Sequence, residues 1–161
     1  MSPALAASAQ SAPTDDPAYR ETIRKRSEGI VQSLKLESPE VASQVQSALE
    51  AFYPAVSAWH DTKGPELRAL REKLHASTDA DAVREQIHQL ELSRFAIGRE
   101  LETRLKDILT PDQIIAIKDQ MTFSRVAQMT QIFGQLDLTP EQTAEIRSIL
   151  ETAREEAVTA G

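Results

Sequence analysis

One five-residue word occurs twice in this chain and limits its fold more than any other feature. It reads Leu109-Thr110-Pro111-Asp112-Gln113 and again Leu138-Thr139-Pro140-Glu141-Gln142. Every position in it suits the start of a helix. The threonine, as N-cap, offers its hydroxyl to a free backbone N–H of the first turn. The proline that follows has no N–H to leave unsatisfied, and its φ is already set for helix. The acidic residue lies where the helix dipole favours negative charge. The glutamine three residues after the cap reaches back to the cap's own N–H and closes a capping box. Leu109 is placed to pack on Ile114 as a hydrophobic staple, whereas the second word has Thr143 at that position. Thr110, Gln113, Thr139 and Gln142 are therefore expected as structural caps.

Other junctions repeat the theme. Asp16-Pro17 and Ser38-Pro39 start helices, with Asp16 and Ser38 as caps; Thr78 is expected to cap another, with Asp81 closing its box. Five of the eight prolines, at 17, 39, 65, 111 and 140, fall at proposed first helical positions. Glycine is scarce, at five residues, and no stretch alternates in the manner of a strand. These signals agree on an all-α fold, an irregular helical bundle of about six or seven helices. A single domain over residues 18–161 follows from the length.

Apolar periodicity fills in the elements. Ile23, Ile30 and Leu34 mark the buried stripe of the first helix, and Arg24-Lys25-Arg26 reads as its solvated face or, more sharply, as a small anion-docking patch. Val41, Val45, Ala48, Phe52, Val56 and Trp59 form one stripe on the second. Pro54 interrupts that helix at a cost of roughly 3 kcal/mol and predicts a kink. Asp61-Thr62-Lys63-Gly64 reads as a break, after which Gly64-Pro65 restarts a short helix with Leu67, Leu70 and Leu74. The longest helix is expected over about 79–109, its seam made by Val83, Ile87, Leu90, Ile97, Leu101, Leu105 and Ile108, and either wrapped by other helices or shared in a homodimer. Ile114, Ile117 and Met121 mark a short helix. Phe123, Val126, Met129 and Phe133 mark another. Ile146, Ile149, Leu150, Ala153 and Ala157 should be buried by the last, with Gly161 as its C-cap.

Composition sets the functional limits. The formal net charge of −7 argues against a nucleic-acid partner, which needs a concentrated basic surface. There is no cysteine, so thiolate metal sites are excluded. No run is long enough to span a membrane. Residues 1–17 read as a disordered leader; Ala4 to Ala12 look like the end of an export signal, without its basic and fully apolar regions, which predicts a periplasmic or secreted protein, a plain flexible leader being the alternative.

Candidate chemistry is sparse. Trp59-His60-Asp61 falls at the expected end of the second helix, where the dipole favours a histidine and the aspartate could orient it. With Tyr53 and Lys63 these residues suggest a cleft suited to a sugar or a peptide. The bland alternative is a half-exposed capping histidine. Glu85 and His88 have the Glu-x-x-His spacing of carboxylate-bundle metal sites, which Glu72 and His75 repeat; such a site also needs two further carboxylates from other helices, for which no motif is present, so no metal or other cofactor is expected. His75 has no evident partner. No nucleophile motif and no glycine-rich phosphate loop occurs, and nothing in the sequence asks for an enzyme.

Two resemblances follow from these words. The Leu-Thr-Pro-x-Gln copies resemble the LTxxQ motif of Spy/CpxP-like periplasmic proteins, small helical holdases that pair as antiparallel cradles. The two copies stand closer together here than in that family. A wider resemblance, from Tyr19 to Gly161, is to an uncharacterised family of exported all-helical bacterial proteins, a domain of unknown function often encoded beside polysaccharide-degrading enzymes. It rests on Arg26-Ser27-Glu28-Gly29-Ile30-Val31, the His60 region, both capping words, Lys118-Asp119-Gln120-Met121-Thr122 and Ala153-Arg154-Glu155-Glu156-Ala157. It implies export and an all-helical fold, and supplies no activity. Three functions are thus in view: an envelope accessory protein with a protein or glycan partner, a Spy-like holdase, and a carbohydrate-binding module or enzyme using the Tyr53–Lys63 cleft.

Overall fold

The computed structural model describes residues 16–160 apart from 77 and 78. Among these are six α-helices and no strand: α1 Pro17–Ser33, α2 Pro39–Ala76, α3 Ala80–Lys106, α4 Pro111–Met121, α5 Arg125–Phe133 and α6 Pro140–Val158. The expected leader falls almost wholly outside the described residues, as does Gly161. Asp16 and Pro17 already belong to the start of α1, where the Asp16 carboxylate accepts from Ala18 N–H at 3.0 Å.

Both repeated words build complete capping boxes. Gln113 N–H donates to Thr110 Oγ1 at 3.3 Å and Thr110 N–H to Gln113 Oε1 at 2.9 Å. The corresponding distances at Thr139 and Gln142 are 3.3 and 3.0 Å. Ser38 Oγ accepts from Val41 N–H. At α3 the N-cap is Asp79, whose side chain accepts from Ala82 N–H, and Thr78 lies outside the described residues.

The largest departure from expectation is in α2. It runs unbroken through Pro54, through Asp61–Gly64 and through Pro65, so it, at 38 residues, and not α3, at 27, is the longest helix. Each proline deletes a backbone hydrogen bond. Burial on both sides of the prolines offsets that cost: Phe52, Val56, Trp59 and Leu67 all lie inside. The stripe also continues in register, since Leu67 and Leu70 stand eleven residues, or three turns, after Val56 and Trp59.

The core lies where α1, α2, α3 and α4 meet. It is made by Ile30 and Val31 of α1, Val45, Leu49, Phe52 and Val56 of α2, Leu101 and Leu105 of α3, then Leu109, Ile114, Ile117 and Met121. Val45, Leu49 and Ile117 are wholly buried. Each such side chain contributes about 1.5–3 kcal/mol relative to exposure. Leu109 and Ile114, the expected staple pair, both join this core.

The last two helices depart from expectation. None of α5 is buried, and α6 buries Arg154 instead of its apolar residues. Ile149 is 60% exposed, Ala153 and Ala157 are exposed, and Ile146 and Leu150 are half-buried. Phe123 is 69% exposed and precedes α5 instead of joining its stripe. The reason is where these helices dock. α6 rests on α3 and α4, α5 rests on α4 and α6, and neither helix packs its length on α1 or α2. The gap that results is lined by the face of α6 carrying Leu150, Ala153 and Ala157.

Candidate functional site

That gap is a cavity of about 880 Å³, within the usual range for sites that hold a small organic molecule. Its floor is α2, which presents Phe52, Tyr53, Val56, Ser57 and His60 over two turns. Ile23 and Arg26 of α1 form one side, and Leu150, Ala153, Arg154 and Ala157 of α6 form the other. Met121, Thr122 and Phe123 close one end, where α4 gives way to α5.

The α4–α5 joint is unusual backbone. Phe123 and Ser124 both have positive φ, 56° and 54°. Non-glycine residues rarely adopt that region, and each costs on the order of 1 kcal/mol there. The sharp turn keeps α5 away from α4's axis and leaves the Phe123 ring outside the core. Arg26 receives that ring. Its guanidinium lies 5.0 Å from the centroid of Phe123 and 4.8 Å from that of Tyr53, and it donates to Met121 O at 2.9 Å. Arg26 is thus held by two aromatic faces and a carbonyl, with no ion pair among the described residues. Its neighbours Arg24 and Lys25 behave as the expected solvated face, pairing with Glu21 and, for Arg24, with Glu28.

Of the five residues predicted to form a cleft, the structure brings two together. Tyr53 and His60 lie two turns apart on one face of α2 and both line the cavity. The Tyr53 hydroxyl is buried with no hydrogen-bond partner, and burial raises its pKa against the opposing pull of Arg26. The phenol therefore stays protonated at neutral pH and keeps its proton to donate. His60 is in mid-helix and not at a C-terminus, so the dipole argument for it fails. It reaches instead to Thr159 O at 3.2 Å and links α2 to the end of α6. Trp59 turns away. It is buried against α3, donating to Ser93 Oγ at 2.8 Å, with the Arg94 guanidinium 5.8 Å from its ring. Asp61 and Lys63 are exposed, and Lys63 pairs with Glu66 at 3.6 Å.

The family model for DUF3826, described as a protein of unknown function, matches residues 20–161. The chain belongs to this family. A comparison with curated proteins finds no match.

The most informative lining residues of this DUF3826 chain were not singled out from sequence. Arg125 is exposed at the start of α5 and finds no side-chain partner among the described residues. Arg154 is only 9% exposed; its Nη1 meets Asp119 Oδ1 at 3.2 Å, and its Nε is buried with no hydrogen bond, the Glu155 carboxylate standing 3.7 Å away. An arginine among the alanines of a helix face was the available signal. Glu85 accepts a hydrogen bond from Gln89, and no cluster of three His, Asp or Glu residues suited to a metal occurs among the described residues. No described helix is long and apolar enough to cross a membrane.

Proposed function

We propose that the chain is a non-catalytic, exported binding protein that holds a small organic molecule between α1–α2 and α6. One observation carries this reading: a cavity of about 880 Å³ whose wall is mostly apolar and whose few polar groups, Tyr53 and His60 among them, converge on it. Export is supported by the small-residue run Ala4 to Ala12 and by the family resemblance, and an accessory role in polysaccharide utilisation by the resemblance alone. The test uses a neutral apolar dye, phenylnaphthylamine, titrated against the full chain. Saturable one-to-one binding is expected, and Ala153→Trp, which places an indole on a lining position, should abolish it. Non-saturable binding, or binding indifferent to that substitution in a protein with unchanged helicity, would remove the reading. Fractionation of cells making the full chain tests export, which predicts recovery outside the cytoplasm.

A second reading is favoured by one observation. Phe123, Ile132, Leu136 and Ile149 leave apolar surface exposed around α5 and α6. This supports a holdase, for which near-stoichiometric suppression of aggregation of an unfolded client is the expected result. No suppression would eliminate it.

A further inference from the structure

We propose, resting on the cavity reading above, that the occupant is an amphipathic anion: a carboxylate or similar acidic head on a hydrocarbon body. The first ground is charge. The chain carries 25 acidic residues against 18 basic ones, yet no aspartate or glutamate lines this cavity, while Arg26, Arg125 and Arg154 all do. Asp119 partners Arg154, so the surplus rests on Arg26 and Arg125. Arginine also offers a planar fork of donors matched to a carboxylate.

The second ground is hydrogen-bonding capacity left unused inside the wall. The Tyr53 hydroxyl is a buried donor without a hydrogen-bond partner, and Arg154 Nε, ion-paired with Glu155 at 3.7 Å, likewise makes no hydrogen bond. Buried donors without acceptors are uncommon in folded proteins. A ligand rich in acceptors and poor in donors would draw the Tyr53 hydroxyl out to it by a side-chain shift, which describes an acidic head and not an amine.

The third ground is the rest of the surface. Ile23, Val56, Met129, Leu150 and Ala157 give aliphatic contact, and Ser57 and Thr122 are the hydroxyl side chains beside the tyrosines. A polyhydroxylated sugar would lose more hydrogen bonds to water than this wall returns. A hydrocarbon body would not. Arg26 has its place fixed in advance by the Tyr53 and Phe123 rings, so little side-chain freedom is lost when it meets an anion.

The experiment compares decanoate, decanol and decyltrimethylammonium by calorimetry on the full chain, below their micellar concentrations. Decanoate should bind tightest and the cation not at all. Arg26→Met should weaken decanoate about tenfold or more, the scale of a lost charged hydrogen bond, and weaken decanol much less. Because Arg26 also packs on two rings, Arg125→Gln serves as the second variant; it removes an exposed charge without touching the core, and several-fold weaker decanoate binding is expected. Equal binding of decanoate and decanol would overturn the proposal and leave the cavity reading standing. Binding of neither would overturn both. Phosphatidylglycerol vesicles separate a free anion from a lipid surface: sedimentation with vesicles that persists in Ala153→Trp would place recognition outside the cavity and overturn the proposal.

Discussion

The two copies of the capping word make the same local structure and opposite tertiary structure. Their paired hydrogen bonds agree to within 0.1 Å. After the first, Ile114, Ile117 and Met121 enter the core; after the second, no apolar side chain of α6 is buried. The difference begins at the position where the staple would close, Ile114 in one and Thr143 in the other. Five residues therefore settle where a helix starts, and the next turn settles what it is for. The first helix is spent on stability. The second keeps its apolar face for a cavity.

The sharpest way to break that comparison is truncation. Ile117→Ala should lower unfolding free energy by about 2–5 kcal/mol in urea titrations, whereas Ile149→Ala should stay within about 0.5 kcal/mol of the parent. Equal losses would mean that α6 is as integral as α4. The caps give the next largest effect. Thr110→Ala should cost about 1 kcal/mol of global stability. Thr139→Ala should weaken its own helix by a similar amount, about 1 kcal/mol, but appear mainly as faster amide exchange across α6, with a smaller shift of the denaturation midpoint. At the joint between the two regions, Ser124→Gly should stabilise by up to about 1 kcal/mol, because glycine accepts the positive φ that serine resists. The smallest effect concerns acid. Hydrogen bonds from Lys106 and Lys118 lower the Glu102 pKa, and Lys118 also reaches Glu155, tying α6 to α3 and α4. A lowered carboxylate pKa adds stability above its ordinary value that is lost as pH falls through the folded value. Exchange protection where α3 meets α4 should therefore decline as pH falls through the lowered Glu102 value, and Lys118→Met should remove most of that pH dependence.

Much of the fold was legible because independent signals coincided. Pro17, Pro39, Pro111 and Pro140 each begin a helix as the sequence suggests. Pro65 does not: Gly64-Pro65 reads locally as punctuation, while the three-turn spacing from Val56 to Leu67 carries the opposite message. Tertiary burial outweighs local breaking tendencies when the stripe stays in phase. The site was less legible for a related reason. Tyr53 and His60 share a face at heptad spacing and both line the cavity; Trp59 and Lys63, at other angles around the same helix, do not. Arg26, Arg125 and Arg154 come from three helices, and no periodicity within one helix reveals a meeting of three.

Trp59 and His60 are successive residues on one rigid rod, their rings edge to face with centroids 5.2 Å apart, the indole buried toward α3 and the imidazole lining the cavity. The chain has a single tryptophan. Its emission is consequently an unlabelled gauge of that one turn, coloured by the nearby Arg94 charge, and any molecule that shifts the floor would be read optically from behind it.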